Sequence, residues 1–153
     1  MLGVTETAET PRLYLDSNVF IYALDGPIFV AERLKELFAI FQAKSGLAVT
    51  SELTLAETLP KASIWQKRYY LNLIVWSQVF DLRPVSREVL LETVNVRKAA
   101  GMPKLPDAVH VVTAIQSACS RIISNDLRFK VPHGYSVIRP DPDSLSNLIQ
   151  EYS

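Results

Sequence analysis

Leu13-Tyr14-Leu15-Asp16-Ser17-Asn18 runs from three apolar residues onto an acid and then into two small polar ones. The apolar run reads as a buried strand over residues 12–16, and residues 19–24 read as a short helix before the Asp25-Gly26-Pro27 turn. A strand that ends on an acid and passes straight into a helix is half of a βα unit. The same grammar recurs along the chain. Residues 28–44 carry Val30, Leu34, Leu37, Phe38 and Phe41 at helical spacing and stop at Ser45-Gly46. Residues 47–50 form a second strand, followed by a helix capped by Ser51 that ends near Leu59, before Pro60. A further helix covers 64–75, and 79–82 is a third strand. A helix capped by Ser86 then runs to Ala100 and stops at Gly101. Pro106 opens a helix reaching about Ser120, residues 121–124 and 135–138 are the fourth and fifth strands, and 142–151 is a last helix. Strands alternating with helices predict an α/β fold, a parallel sheet covered on both faces.

The chain has 153 residues, 48% of them hydrophobic, which suits one domain spanning 1–153 with a substantial core. The apolar runs at 71–76 and 109–115 are far shorter than the roughly 20 residues needed to span a bilayer. The first ten residues are polar and lack both a basic start and an apolar signal core, so the expectation is a cytoplasmic protein. The single cysteine, Cys119, falls in an apolar helical pattern and is expected in the core. Sixteen basic and sixteen acidic residues cancel. That balance argues against a non-specific nucleic-acid coat, but a nuclease needs only local Lys and Arg for phosphate contacts.

Four acids stand at structural punctuation marks: Asp16, Glu57 in Leu55-Ala56-Glu57, Asp107 in Pro106-Asp107-Ala108, and Asp126 in Ser124-Asn125-Asp126. Each has a bland reading. Asp16 can cap a helix, Asp126 can close a turn, Asp107 can face a helix dipole, and Glu57 can be a solvated helix residue. Those are four separate coincidences, whereas one metal site at the carboxyl edge of a parallel sheet accounts for all four. Carboxylates about 5 Å apart repel by roughly 3 kcal/mol per pair at an effective dielectric near 20. A cation relieves that repulsion. Magnesium, with its octahedral oxygen ligation, or manganese fits the donors; one ion and two both remain open. No Cys or His cluster offers a zinc site, and the two histidines, His110 and His133, are far apart in sequence.

Metal and acids together point to phosphodiester hydrolysis, in which a cation activates water and neutralises charge on the phosphate oxygens. An aspartyl-nucleophile phosphatase or dehalogenase built on Asp16 would call for a second acid two residues on, where this chain has Asn18. A signalling receiver using Asp81 and Lys130 would call for an acidic pair near the end of the first strand, and only Asp16 stands there.

These residues resemble a PIN domain, and more narrowly a VapC-type toxin ribonuclease. The resemblance rests on Leu15-Asp16-Ser17-Asn18-Val19-Phe20-Ile21-Tyr22, Leu55-Ala56-Glu57, Pro106-Asp107-Ala108-Val109-His110 and Ser124-Asn125-Asp126-Leu127-Arg128-Phe129, in the family's order, and spans about 12–140. It implies a three-layer α/β/α sandwich with a parallel, five-stranded sheet, and Asp16, Glu57, Asp107 and Asp126 gathered around magnesium or manganese. Asn18 and Ser124 match the positions that support the first and last acids. The resemblance also implies single-stranded RNA as substrate, a homodimer, and a small antitoxin that blocks the site. Ser124 stands where a Thr is frequent, and residues 1–11 read as a flexible extension outside the match. The same resemblance admits a degenerate PIN domain that binds RNA or protein without cutting, and a housekeeping PIN nuclease. Lys67, Arg68, Arg97, Lys98 and above all Lys104 are candidates for phosphate contact. Tyr69, Tyr70 and Trp76 lie among Leu71, Leu73, Ile74 and Val75, which favours a core or dimer role over base stacking.

Overall fold

The computed structural model describes residues 10–99, 101, 103–126 and 129–153. Its strands are β1 (Leu13–Leu15), β2 (Ala48–Ser51), β3 (Asp81–Arg83), β4 (Arg121–Ile123) and β5 (Ser136–Ile138). They pair in parallel throughout, in the order β3-β2-β1-β4-β5. The described helices are α1 (Ser17–Asp25), α2 (Ile28–Ala43), α3 (Leu53–Thr58), α4 (Ile64–Leu71), α5 (Arg87–Ala99), α6 (Leu105–Gln116) and α7 (Pro142–Tyr152). β1 is central, with Leu13 beside Ala48 on one side and Arg121 on the other. The chain builds outward from β1 to β3, then crosses back to lay β4 and β5 on the far side. The strand order therefore reverses between β1 and β4, and such a switch point opens a crevice beyond the strand carboxyl ends.

Alternation along the strands sorts the layers. Leu13 and Leu15 face a core with Val19 and Phe20 of α1, Leu34 and Phe41 of α2, and Leu145 of α7. Tyr14, Val49 and Ile122 face the other way, against Val111 and Ala114 of α6. The result is the three-layer α/β/α sandwich that the sequence predicts. Phe20, Phe38, Phe41 and Phe80 meet at tilted and edge-on angles with centroids 5.0–6.2 Å apart, the geometry that aromatic quadrupoles favour. Cys119 is fully buried, and burial pushes its thiol up to about 11, as befits a core residue.

Several boundaries differ from expectation. Ser51 closes β2 and α3 begins at Leu53, although the Ser51 hydroxyl still accepts the Leu53 N–H at 3.0 Å. Beyond α4 the chain winds on as a π-helical turn, Asn72–Trp76, in which Ile74 is buried. α6 stops at Gln116, short of Ser120, because Ala118 takes a positive φ of 58°. The expected helix end at Ala100 and most of the 1–11 extension lie outside the described residues. Asp81 opens β3 at the amino edge of the sheet, where Arg12 and Arg83 hold it at 2.7 and 3.0 Å. A phosphate acceptor at the carboxyl edge, which the receiver reading needs, is therefore not supplied by Asp81. Among the described residues no helix is long and apolar enough to cross a membrane.

Candidate metal centre

β1 delivers Asp16 to the switch point. Its extended backbone, φ −71° and ψ 159°, makes it the N-cap of α1, and Oδ1 accepts the Ser17 N–H at 2.7 Å. The cap reading is thus correct, and it occupies only part of the carboxylate. Oδ2 accepts the Ser124 hydroxyl at 2.7 Å and the Asn18 amide at 3.3 Å. Ser124 follows β4 directly, and its Oγ also accepts the Asp126 N–H at 3.1 Å. Asn18 Oδ1 accepts the Asn125 N–H at 3.2 Å, so two side chains bridge the loops after β1 and β4. Asn125 in turn donates to the Tyr22 hydroxyl of α1 at 2.6 Å.

Glu57 arrives from the neighbouring strand. The Thr50 hydroxyl bonds the Leu15 carbonyl at 2.8 Å and lies 2.8 Å from the Thr54 hydroxyl, tying α3 to the end of β1. One turn further along α3, Glu57 Oε1 meets His110 Nε2 at 2.5 Å. The same nitrogen lies 3.4 Å from Asp16 Oδ1. Asp16, Glu57 and His110 each present a ligand atom, all within 4.8 Å of one another.

Asp107 sits in the first turn of α6, half-buried. Burial raises its carboxyl above the usual carboxylate range; the charges of Asp126 and Asp16 push the same way, His110 pulls against them, and Glu57 adds the least. Asp107 thus feels the charges of the other three acids, although the close group of ligand atoms among the described residues comprises only Asp16, Glu57 and His110. Hard oxygen donors of this kind, with one imidazole at the edge, fit magnesium or manganese.

The basic candidates are placed less closely. Lys104 precedes α6 as an exposed N-cap residue without a side-chain capping bond. Arg97 donates to the Pro103 carbonyl at 3.0 Å, while Lys67, Arg68 and Lys98 are exposed. Tyr70 is buried and Tyr69 packs against the core, whereas Trp76 is exposed. His133 is exposed, but His110 is not the isolated histidine that sequence distance implies. Its signal was present, since His110 follows Asp107 by three residues on one helix, the spacing of neighbours on a face. Tyr14, its partner at 2.6 Å, stands two residues before Asp16 on the same side of a strand.

The model of the PIN domain family matches residues 13–133. No curated protein matches the chain. Among solved structures, a chain of a toxin–antitoxin complex from Klebsiella pneumoniae is 21% identical with a TM-score of 0.61, the match covering 85% of this chain and 98% of that one. A chain of a DNA-bound VapBC from Salmonella typhimurium is 16% identical with a TM-score of 0.60, covering 86% and 100% respectively. Identities this low carry the fold alone.

Proposed function

The chain belongs to the PIN domain family, a family of nucleases, and from that premise we propose that it is a metal-dependent endoribonuclease cleaving single-stranded RNA in the cytoplasm. The observation that supports this best is the convergence of Asp16 and Glu57, from the ends of neighbouring βα units, with ligand atoms within 4.8 Å of one another and of His110. Asp16, Glu57, Asp107 and Asp126 would hold magnesium or manganese. When bound, the ion supplies acidified water and charge neutralisation at the phosphate oxygens. Ser124 and Asn18 fix the plane of the Asp16 carboxylate, so its geometry is set before any ligand arrives. Glu57 is the open member of its group, 30% exposed at the side chain against 8% for Asp16, so substrate approaches from the α3 side.

We propose further that the protein is the toxin of a toxin–antitoxin pair and a homodimer. The similar folds come from toxin–antitoxin assemblies, and an acidic crevice suits a basic antitoxin segment. Ile64 and Trp65 of α4 are exposed, as a dimer face would be in a lone protomer. Purified protein should cut single-stranded RNA with magnesium or manganese and stop with EDTA. Asp16→Ala should slow cleavage by at least about a hundredfold, the scale of several kcal/mol of metal-based stabilisation. Cleavage that persists unchanged in EDTA, with contaminating nucleases excluded, would sink the mechanism. A monomer in light scattering at high micromolar concentration would remove the dimer.

A further inference from the structure

Tyr14 and His110 are buried polar side chains at the centre to which the four-acid site gives no task. The two rings meet edge-on, with the Tyr14 hydroxyl 2.6 Å from His110 Nδ1. An ordinary phenol carries its hydrogen at neutral pH, and His110 Nδ1 lies within reach to accept it. With carboxylate acceptors facing Nε2 and the Tyr14 hydroxyl facing Nδ1, the hydroxyl donates to Nδ1. Nδ1 is then a bare acceptor, and the ring hydrogen sits on Nε2.

That hydrogen faces the carboxylates, 2.5 Å from Glu57 Oε1 and 3.4 Å from Asp16 Oδ1 by heavy-atom distance. We propose that His110 is a positioning residue: locked as an Nε2–H donor by Tyr14, it holds Glu57 beside Asp16 and is not a ligand of the metal. Ligation through Nε2 would need its lone pair, hence the opposite tautomer. That tautomer would set two hydrogens face to face between Tyr14 and His110, or leave a buried hydroxyl without an acceptor. The imidazole thus governs where an oxygen ligand stands without entering the coordination sphere, much as outer-shell partners do at other metal centres.

The inference rests on the metal reading of the site, but the tautomer belongs to the metal-free protein and is read separately. Nitrogen NMR of the metal-free wild type should show a protonated Nε2 and a bare Nδ1; a protonated Nδ1 with a bare Nε2 overturns the proposal. With Mn2+ bound, pulsed EPR should show no directly ligated imidazole nitrogen, and such a signal, lost in His110→Gln, overturns it equally. By calorimetry His110→Gln, which keeps an amide donor, should bind Mn2+ within about threefold of wild type, while His110→Leu should lose about tenfold or more. Equal large losses in both, with native circular dichroism, overturn it. Should His110→Leu fail to fold, the glutamine variant and the wild-type spectra decide. A wild type that binds no Mn2+ overturns the metal reading, and the tautomer then stands or falls on the metal-free spectrum.

Discussion

Ser124 joins the two acids that reach the crevice from opposite sides of the strand reversal, donating to Asp16 and accepting from the Asp126 N–H. Ser124→Ala removes a donor from a buried carboxylate. It should lower metal affinity or cleavage by roughly 10–100-fold, the range for outer-shell partners, measured by Mn2+ titration and RNA turnover. Asp107 offers a test with the opposite sign in stability. Its folded carboxyl titrates above the ordinary range, so the native state holds that proton more tightly than the unfolded chain does. Metal-free stability therefore falls as pH climbs from the ordinary carboxylate range through the raised value, and recovers below it. Asp107→Asn should flatten that slope and melt at the same or higher temperature at neutral pH without metal. It should also gain less from magnesium and fail to cut RNA. Thermal melts across pH, with and without magnesium, check this; a metal-induced shift equal to wild type would place Asp107 outside the site.

At the scale of elements, punctuation residues were legible and internal windings were not. Asp25-Gly26-Pro27 announced the break between α1 and α2, and the structure shows why glycine stands there. A Cβ on Gly26 would lie 2.6 Å from the Tyr22 carbonyl oxygen and 2.8 Å from its Cα, backbone atoms that cannot swing aside. Gly26→Ala should destabilise the protein by about 1–3 kcal/mol in urea denaturation, the usual scale of overpacking. Because Tyr22 also receives Asn125, the same variant should loosen the loop that carries Asp126 and slow cleavage. The π-helical turn at Asn72–Trp76 left no such mark, since its apolar residues satisfy an α-helical pattern equally well. The end of α6 was hidden for a related reason: Ala118 carries no turn chemistry, yet it takes the positive φ that stops the helix.

Across the whole molecule, the βα alternation revealed the layered architecture, and acids after strands revealed the crevice. Strand order was not legible, because nothing local distinguishes a neighbour of β1 from a strand two places away. Nor was the Tyr14–His110 contact, which spans 96 positions and exists only once α6 lies on the sheet. The core that makes such contacts possible can be tested directly. Phe41 is fully buried against Phe38 and Phe80, and Phe41→Ala should cost about 3–5 kcal/mol in chemical denaturation, a large part of an ordinary domain's stability. The reversal of strand order has one more consequence, in time. Asp16 emerges from the ribosome early, while Ser124, its bonding partner, lies 108 residues behind. During synthesis the Asp16–Ser124 bond therefore cannot form until β4 has been made and has docked on β1. A chain cut short before β4 lacks Ser124 and Asp126 together, so its Asp16 carboxylate is left without the hydroxyl that orients it.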